Sequence, residues 1–431
     1  MKILGMLALI PLVNISFSEL DRFFWFALAT SWSLVLLLDS GLNATTTRYF
    51  SYLNATNNLS KIIPSDLPLN SDDIKLLTKL ISKFYYAAMM IVGLLIFPAI
   101  FFSIYEKLAD SPKFFEYLCL MIVTGIASLV YLFSNAFNGI TQGLGSLPKV
   151  QLMQFTTTSV SVVLASTAIY VTKNLSVTIV CFYLPFSIYF FLIRRVALFE
   201  LAKRFKNEKD ANFQKVESMI KIRLLKDTIK SAVGVLSSQG FIIGTSMLVN
   251  KFESIDVAIV YMICMQIIRG VCSFSQVPFV SNLPLFCSQY AQEEYSRLAV
   301  GLTRKFILSI FLFITLTILV GFLSQTSLGI LIFGTQLKQA LWIAFGCTFL
   351  LERAGAILIQ LYTVTGNIKW HIVNTGGGLL SLIIIITMPL KISAYTILGS
   401  IFLSYLFFVI PYICFYIIKE PNLNVPKLSI N

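Results

Sequence analysis

Apolar runs of roughly 20 residues recur along the chain from Ile3 to Ile418, and the longest polar stretch between them is Arg194 to Lys230. A bilayer-spanning helix needs about 20 mostly apolar residues, and fewer where its ends continue into protein or interface. Twelve segments meet that condition: Ile3–Ile15, Phe23–Leu38, Phe84–Ile104, Phe115–Phe137, Phe155–Val171, Val177–Ile193, Ala232–Val249, Val257–Val280, Phe306–Leu323, Ala340–Val364, Ile372–Leu390 and Ala394–Ile418. The expectation is an all-α membrane protein of about 12 transmembrane helices.

Composition agrees, because 57% of the 431 residues are hydrophobic, 12% are charged and the mean hydropathy is +0.82. Soluble domains hold about half apolar and a quarter charged residues. The net charge of +13 lies in short loops between apolar runs, so it does not form the solvated basic groove that nucleic acid needs. The seven cysteines are scattered with no CxxC pair, and His371 is the one histidine. No disulfide framework, metal centre or cofactor is expected. Lys2 with its apolar run looks like a signal peptide but lacks a small-residue cleavage site before Glu19, so it reads as a first membrane helix.

Cytoplasmic loops are enriched in Lys and Arg. With the N-terminus inside and the sides alternating, 24 of the 33 basic residues fall on the inner side and 7 on the outer, leaving Arg269 and Arg353 within helices. Both termini are therefore expected in the cytoplasm.

Residues 1–193 then form an N-terminal lobe of six helices, 194–231 a basic linker, 232–418 a C-terminal lobe of six, and 419–431 a cytoplasmic tail. In the linker, Val196, Phe199, Leu201 and Ala202 alternate with basic residues. That pattern fits either an amphipathic helix on the inner membrane surface or a plain solvated joint. Glu19-Leu20-Asp21 before the second helix is echoed by Glu253-Ser254-Ile255-Asp256 before the eighth, in keeping with transporters built from repeated halves.

A charge at mid-bilayer costs about 3 kcal/mol on insertion scales, so it faces a cavity or a partner. Arg269 lies mid-way along the eighth segment, Glu352 and Arg353 mid-way along the tenth, and Asp39 ends the second. Gln266, Arg269, Ser273 and Gln276 recur every three or four residues and share one helical face. Glu352, Ala356, Gln360 and Thr363 do the same. Neighbours on a helix point about 100° apart, so Glu352 and Arg353 do not simply neutralise one another. Glu352 either pairs with Arg269 or binds a coupling H+ or Na+.

An uncharged stripe, Ser128, Tyr131, Asn135, Asn138 and Gln142, marks the fourth segment, and Gln239, Ser246 and Asn250 the seventh. Several such stripes point to a hydrophilic interior, although hydrogen bonds between packed helices would produce any one of them. Pro98, Pro185, Pro278, Pro284, Pro389, Pro411 and the run Gly376-Gly377-Gly378 are places for kinks or hinges. No nucleotide-binding loop occurs, because no Lys-Ser/Thr follows the glycines.

The segment Leu38-Asp39-Ser40-Gly41-Leu42-Asn43-Ala44-Thr45-Thr46-Thr47-Arg48 resembles the Wzx-type polysaccharide-unit flippases, in which an Asp-x-Gly-Leu and small residues lead to an Arg. Ile330-Leu-Ile-Phe-Gly-Thr is similar to that family's Leu-rich run ending in Phe-Gly. The chain departs from the family pattern in its short first helix and at Glu19-Leu20-Asp21-Arg22. The resemblance implies a MATE-like fold of two six-helix lobes around a cavity in the bacterial inner membrane. It also implies an undecaprenyl-diphosphate-linked oligosaccharide as cargo, with polysaccharide assembly proteins and membrane lipids as partners, and Asp39 and Arg48 as motif residues. Arg48, Arg269 and Arg353 suit a diphosphate, while Gln266, Gln276, Gln360, Asn135 and Asn138 suit sugar hydroxyls.

Three rivals remain. A MATE-type drug exporter would want acidic rather than basic residues in its cavity. A lipid II flippase would usually have more helices. A membrane-embedded polymerase or glycosyltransferase would usually carry a long loop with catalytic groups, and the outer loops here are short.

Overall fold

The computed structural model describes residues 2–30, 71–204, 241–282, 295–333, 337–364, 370–387 and 392–419, with positions 43, 46, 47, 50, 233, 237, 240 and 286. Asp39, Arg48, Gln239, most of the expected linker and the C-terminal tail lie outside the described residues.

Among the described residues the principal helices fall into twelve segments. They are α1 (Lys2–Ser16), α2 (19–30), α3 (Ser71–Ile91 running through Val92–Ile96 into Phe97–Leu108), α4 (Phe114–Gly143), α5 (Leu147–Thr172) and α6 (Leu175–Arg204). Then follow α7 (Phe241–Phe252), α8 (Ile255–Ser275), α9 (Tyr295–Leu323), α10 (Gln339–Val364), α11 (Trp370–Thr387) and α12 (Ala394–Ser404 running through Tyr405–Val409 into Ile410–Lys419). Seven are long and apolar enough to cross a bilayer alone.

Several helices outrun their apolar runs. The α4 helix continues to Gly143, α9 starts at Tyr295, and α6 passes Ile193 to end at Arg204. The first residues of the expected linker are thus a direct continuation of a spanning helix. The backbone ladder loses nothing on leaving hydrocarbon, and Arg and Lys are good helix formers. Glu200 also holds that extension, because its carboxylate is buried and accepts from Lys149 Nζ at 2.7 Å.

Two prolines leave the same local signature. Pro98 and Pro411 each follow a stretch of wider, π-type turns, Val92–Ile96 and Tyr405–Val409. A helical proline lacks an N–H and crowds the carbonyl four residues earlier, here Leu94 and Phe407, and widening the helix at that point relieves the clash.

The chain divides into two compact units, 1–236 and 237–431. In the first, α4 packs on α6 and α3, α5 on α6, and α1 on α5. Its interior is aromatic: Tyr131 stacks on Tyr189 with ring centroids 6.0 Å apart and meets Phe186 edge-on at 5.4 Å. In the second, α10 packs against α8, α9 and α12, α11 against α12, and α7 against α8.

Contacts within each unit join the starts of even-numbered helices. The Asp21 carboxylate at the start of α2 accepts from Tyr117 at 2.8 Å and Lys113 at 3.0 Å at the start of α4, and from the Ser18 hydroxyl at 2.7 Å. Glu116 bonds Ser176 at the start of α6. In the second unit Glu253, just before α8, accepts from the backbone N–H of Ala394 at the start of α12 at 3.0 Å.

The three consecutive glycines are a packing surface. A Cβ on Gly378 would stand 2.8 Å from the backbone oxygen of Ser237, one on Gly377 2.6 Å from Val409, and one on Gly376 2.5 Å from Phe408. Ser404 and Ser381 both donate to the Gly377 carbonyl, at 2.6 and 3.0 Å. The run lets α12 and Ser237, ahead of α7, approach α11 closely.

Candidate functional site

The charged cluster lies within the second unit, where α8 faces α10. Arg353 and Glu352 are both only 4% exposed, although they are neighbours on α10. Arg353 Nη1 donates to Gln276 Oε1, at the end of α8, at 2.7 Å. Its Nε and Nη2 are buried and have no hydrogen-bond partner among the described residues, and the same is true of Gln266 Nε2 on α8.

Arg269, partly buried on α8, lies within the electrostatic field of Glu352. Cys272, one turn further on, lies in the electrostatic field of Glu352, Arg353 and Arg269 together. Three of the charges expected from sequence therefore share one neighbourhood. Two guanidinium groups and one carboxylate leave it with a net positive charge.

Two residues that sequence alone did not single out complete the surroundings. Tyr405, in the wide turn of α12, is buried and feels the Glu352 charge. A Cβ on Gly355 would stand 3.3 Å from the Tyr405 ring, so the glycine one turn beyond Glu352 sets how closely α12 approaches. Tyr405 sits in a mostly apolar run, and its one sequence signal is the proline six residues later.

In the first unit Ser128, Tyr131, Asn135 and Asn138 of the uncharged stripe on α4 are buried, and Gln142 is partly exposed. Asn138 Nδ2 donates to Asn135 Oδ1 at 2.7 Å, and Tyr189 on α6 donates its hydroxyl to Asn138. The network thus joins α4 to α6. Asn135 and Asn138 are 3% and 0% exposed. The alternative of interhelical hydrogen bonding fits these two residues better than a wet wall. Gly139 allows the segment after the Asp-x-Gly-Leu motif to touch α4: a Cβ there would stand 2.8 Å from Asn43 Oδ1 and 2.9 Å from Thr46.

Gln360 lies on α10, but its side chain is outside the described residues, as are Asp39 and Arg48. Among the described residues no group of His, Cys, Asp and Glu is arranged to hold a metal.

Outside the membrane segments, Asp21 titrates below the ordinary carboxylate range. Burial pushes its pKa up, but hydrogen bonds from Ser18, Tyr117 and Lys113 and the Lys113 charge more than offset it.

No protein-family model matches the chain, and no curated protein matches it. Solved structures do. An inward-facing multidrug-resistance MATE transporter of the MOP superfamily aligns with a TM-score of 0.67 and 12% identity, over 97% of this chain and 96% of that one. The lipid II flippase MurJ in an inward closed conformation aligns with a TM-score of 0.63 and 14% identity, over 96% of this chain and 86% of that one. A eukaryotic MATE transporter aligns with a TM-score of 0.61 and 9% identity, over 98% and 95%. Identities this low establish the fold alone. The chain is a multi-pass membrane protein with the MATE-like fold shared by MOP-superfamily transporters.

Proposed function

We propose that the protein is a flippase that moves undecaprenyl-diphosphate-linked oligosaccharide units from the cytoplasmic to the outer leaflet by alternating access, for assembly of a surface polysaccharide. The observation that carries this reading is the cluster of Arg269, Arg353, Glu352, Gln266 and Gln276. It has a positive balance and includes three buried donor atoms, on Arg353 and Gln266, with no hydrogen-bond partner among the described residues. Leaving such donors unpaired costs about 1–3 kcal/mol each, a cost a bound anion would remove. A planar guanidinium with two open N–H groups suits a phosphate bidentately. The likeness to a lipid II flippase supports lipid-linked cargo on this fold, and the resemblance around Asp39 and Arg48 supports the polysaccharide branch.

The lipid tail stays in the bilayer while the diphosphate and sugars cross. The Arg residues attract the diphosphate, and Glu352 competes with it for them. Binding of cargo therefore releases Glu352 from guanidinium, and a coupling H+ or Na+ then neutralises it.

The test is polysaccharide export with Arg269→Ala and Arg353→Ala at matched protein levels. The expected result is loss of surface polysaccharide, with lipid-linked units held on the inner leaflet. Normal export by both variants would overturn the reading. A small-cation exporter is the second reading, favoured by the buried Glu352 carboxylate. It predicts energy-dependent efflux of cationic dyes that Glu352→Gln abolishes.

A further inference from the structure

A groove of about 470 Å³ runs between α9 and α10, with none of the charged cluster in its lining. Its walls include Ile314, Ile318, Phe322 and Ile343, all exposed. The floor is Trp342, whose indole Nε1 donates to the Thr317 carbonyl at 3.0 Å. Gly321 and Gly346 supply no side chains to fill the space; a Cβ on Gly321 would stand 2.8 Å from Trp342 Nε1.

The groove opens onto the surface of α9, which has a mean hydropathy of 2.8 over its spanning window and only 11% of that window buried. A surface so apolar and so uncovered is stable only against hydrocarbon. Besides Thr317, the lining has amide-bearing residues, and these lie at one end. Gln325 and Gln339 line that end, and Lys338, the chain neighbour of Gln339, is exposed. From Phe313 to Gln325 the lining runs about 18 Å along α9 at 1.5 Å per residue. That is close to the roughly 15 Å hydrocarbon depth of a single leaflet.

We propose that this groove is a binding site for one acyl chain of an anionic phospholipid, its headgroup at Gln325, Gln339 and Lys338 and its tail running along Trp342 toward the bilayer centre. The amide end fixes the orientation, and Lys338, the cation next to Gln339 in the chain, favours a negative headgroup. A lipid seated there bridges α9 to α10, the helix that carries Glu352 and Arg353. The site stands or falls independently of what the protein transports.

Trp342 reports its own occupancy. With Trp25, Trp32 and Trp370 replaced by Phe, the purified full chain in detergent micelles is titrated with phosphatidylglycerol or phosphatidylcholine brominated on the acyl chains. Trp342 fluorescence is expected to be quenched saturably, at about fivefold lower phosphatidylglycerol than phosphatidylcholine, as one basic residue near a membrane surface provides. Lys338→Gln should remove that preference, and Cys347→Phe, which fills the exposed wall of the groove, should abolish saturation. Linear quenching that is equal for both lipids would overturn the site. Relief of quenching by unbrominated polyprenyl phosphate at lower concentration than by unbrominated phosphatidylglycerol would overturn the phospholipid assignment in favour of a cargo tail. Should the three-Phe variant fail to fold, the difference between the unmodified chain and Trp342→Phe gives the same readout.

Discussion

Arg353 and Gln276 are joined by a 2.7 Å hydrogen bond across 77 residues of chain, which ties a charge of α10 to the end of α8. An arginine buried in this position needs an acceptor, and a neutral amide supplies one without cancelling its charge. The charge thus remains available to a ligand.

Replacing Gln276 by Leu leaves Arg353 Nη1 without that acceptor. The expected cost is about 1–3 kcal/mol, read as a lower unfolding temperature of the purified protein in detergent. Arg353→Lys should not restore export to an Arg353→Ala protein, because a lysine cannot hold Gln276 and a phosphate in one plane. An unchanged unfolding temperature for Gln276→Leu would show that the bond contributes nothing.

The glycine run gives a contrast within one unit. Gly378→Ala should destabilise by about 1–3 kcal/mol, since the clash is with the Ser237 backbone, which has little room to move. Gly399→Ala, where a Cβ meets nothing within 4 Å, should stabilise by up to about 1 kcal/mol through helix propensity. Thermal melts of the two variants should move in opposite directions.

Asp21 makes stability depend on acid. Its pKa in the folded protein is below the ordinary value, so it contributes stability above the unfolded-state pKa of about 4. That contribution is lost as pH falls through the lower folded value. Melts from pH 6 to pH 3 should show a drop that Asp21→Asn flattens. Parallel curves for the two proteins would show that the Lys113 and Tyr117 contacts do not stabilise the charge.

Reporter fusions test the sidedness. Insertions at Glu106-Lys107 and at Asn207 should report outside and inside respectively, and the same side for both would refute the alternation.

The helices were legible because hydrocarbon permits little else for an uninterrupted apolar run. Arg269, Glu352 and Arg353 stood out for the same reason, since a mid-segment charge is costly enough to be conspicuous. The grouping of Glu352 and Arg269 could be posed from spacing but not decided, because it depends on how α8 and α10 are rotated about their axes. Asn135 and Asn138 show the limit from the other side: a polar stripe reads alike whether it faces water or, as here, a tyrosine on α6. Tyr405 and the groove beside Trp342 were invisible, one for want of polarity and the other because an absence of side chains leaves no periodic mark.

The uninterrupted run of α6 from Leu175 to Arg204 has a mechanical meaning. Pro185 is the natural pivot of that helix, and the 19 residues beyond it form an arm about 29 Å long at 1.5 Å per residue. A bend of 10° at the proline would swing the far end by about 5 Å by lever geometry alone. The Lys149–Glu200 clasp near that end would then share the displacement with α5, so that a small adjustment within the bilayer emerges as a stroke several times larger at the membrane's edge.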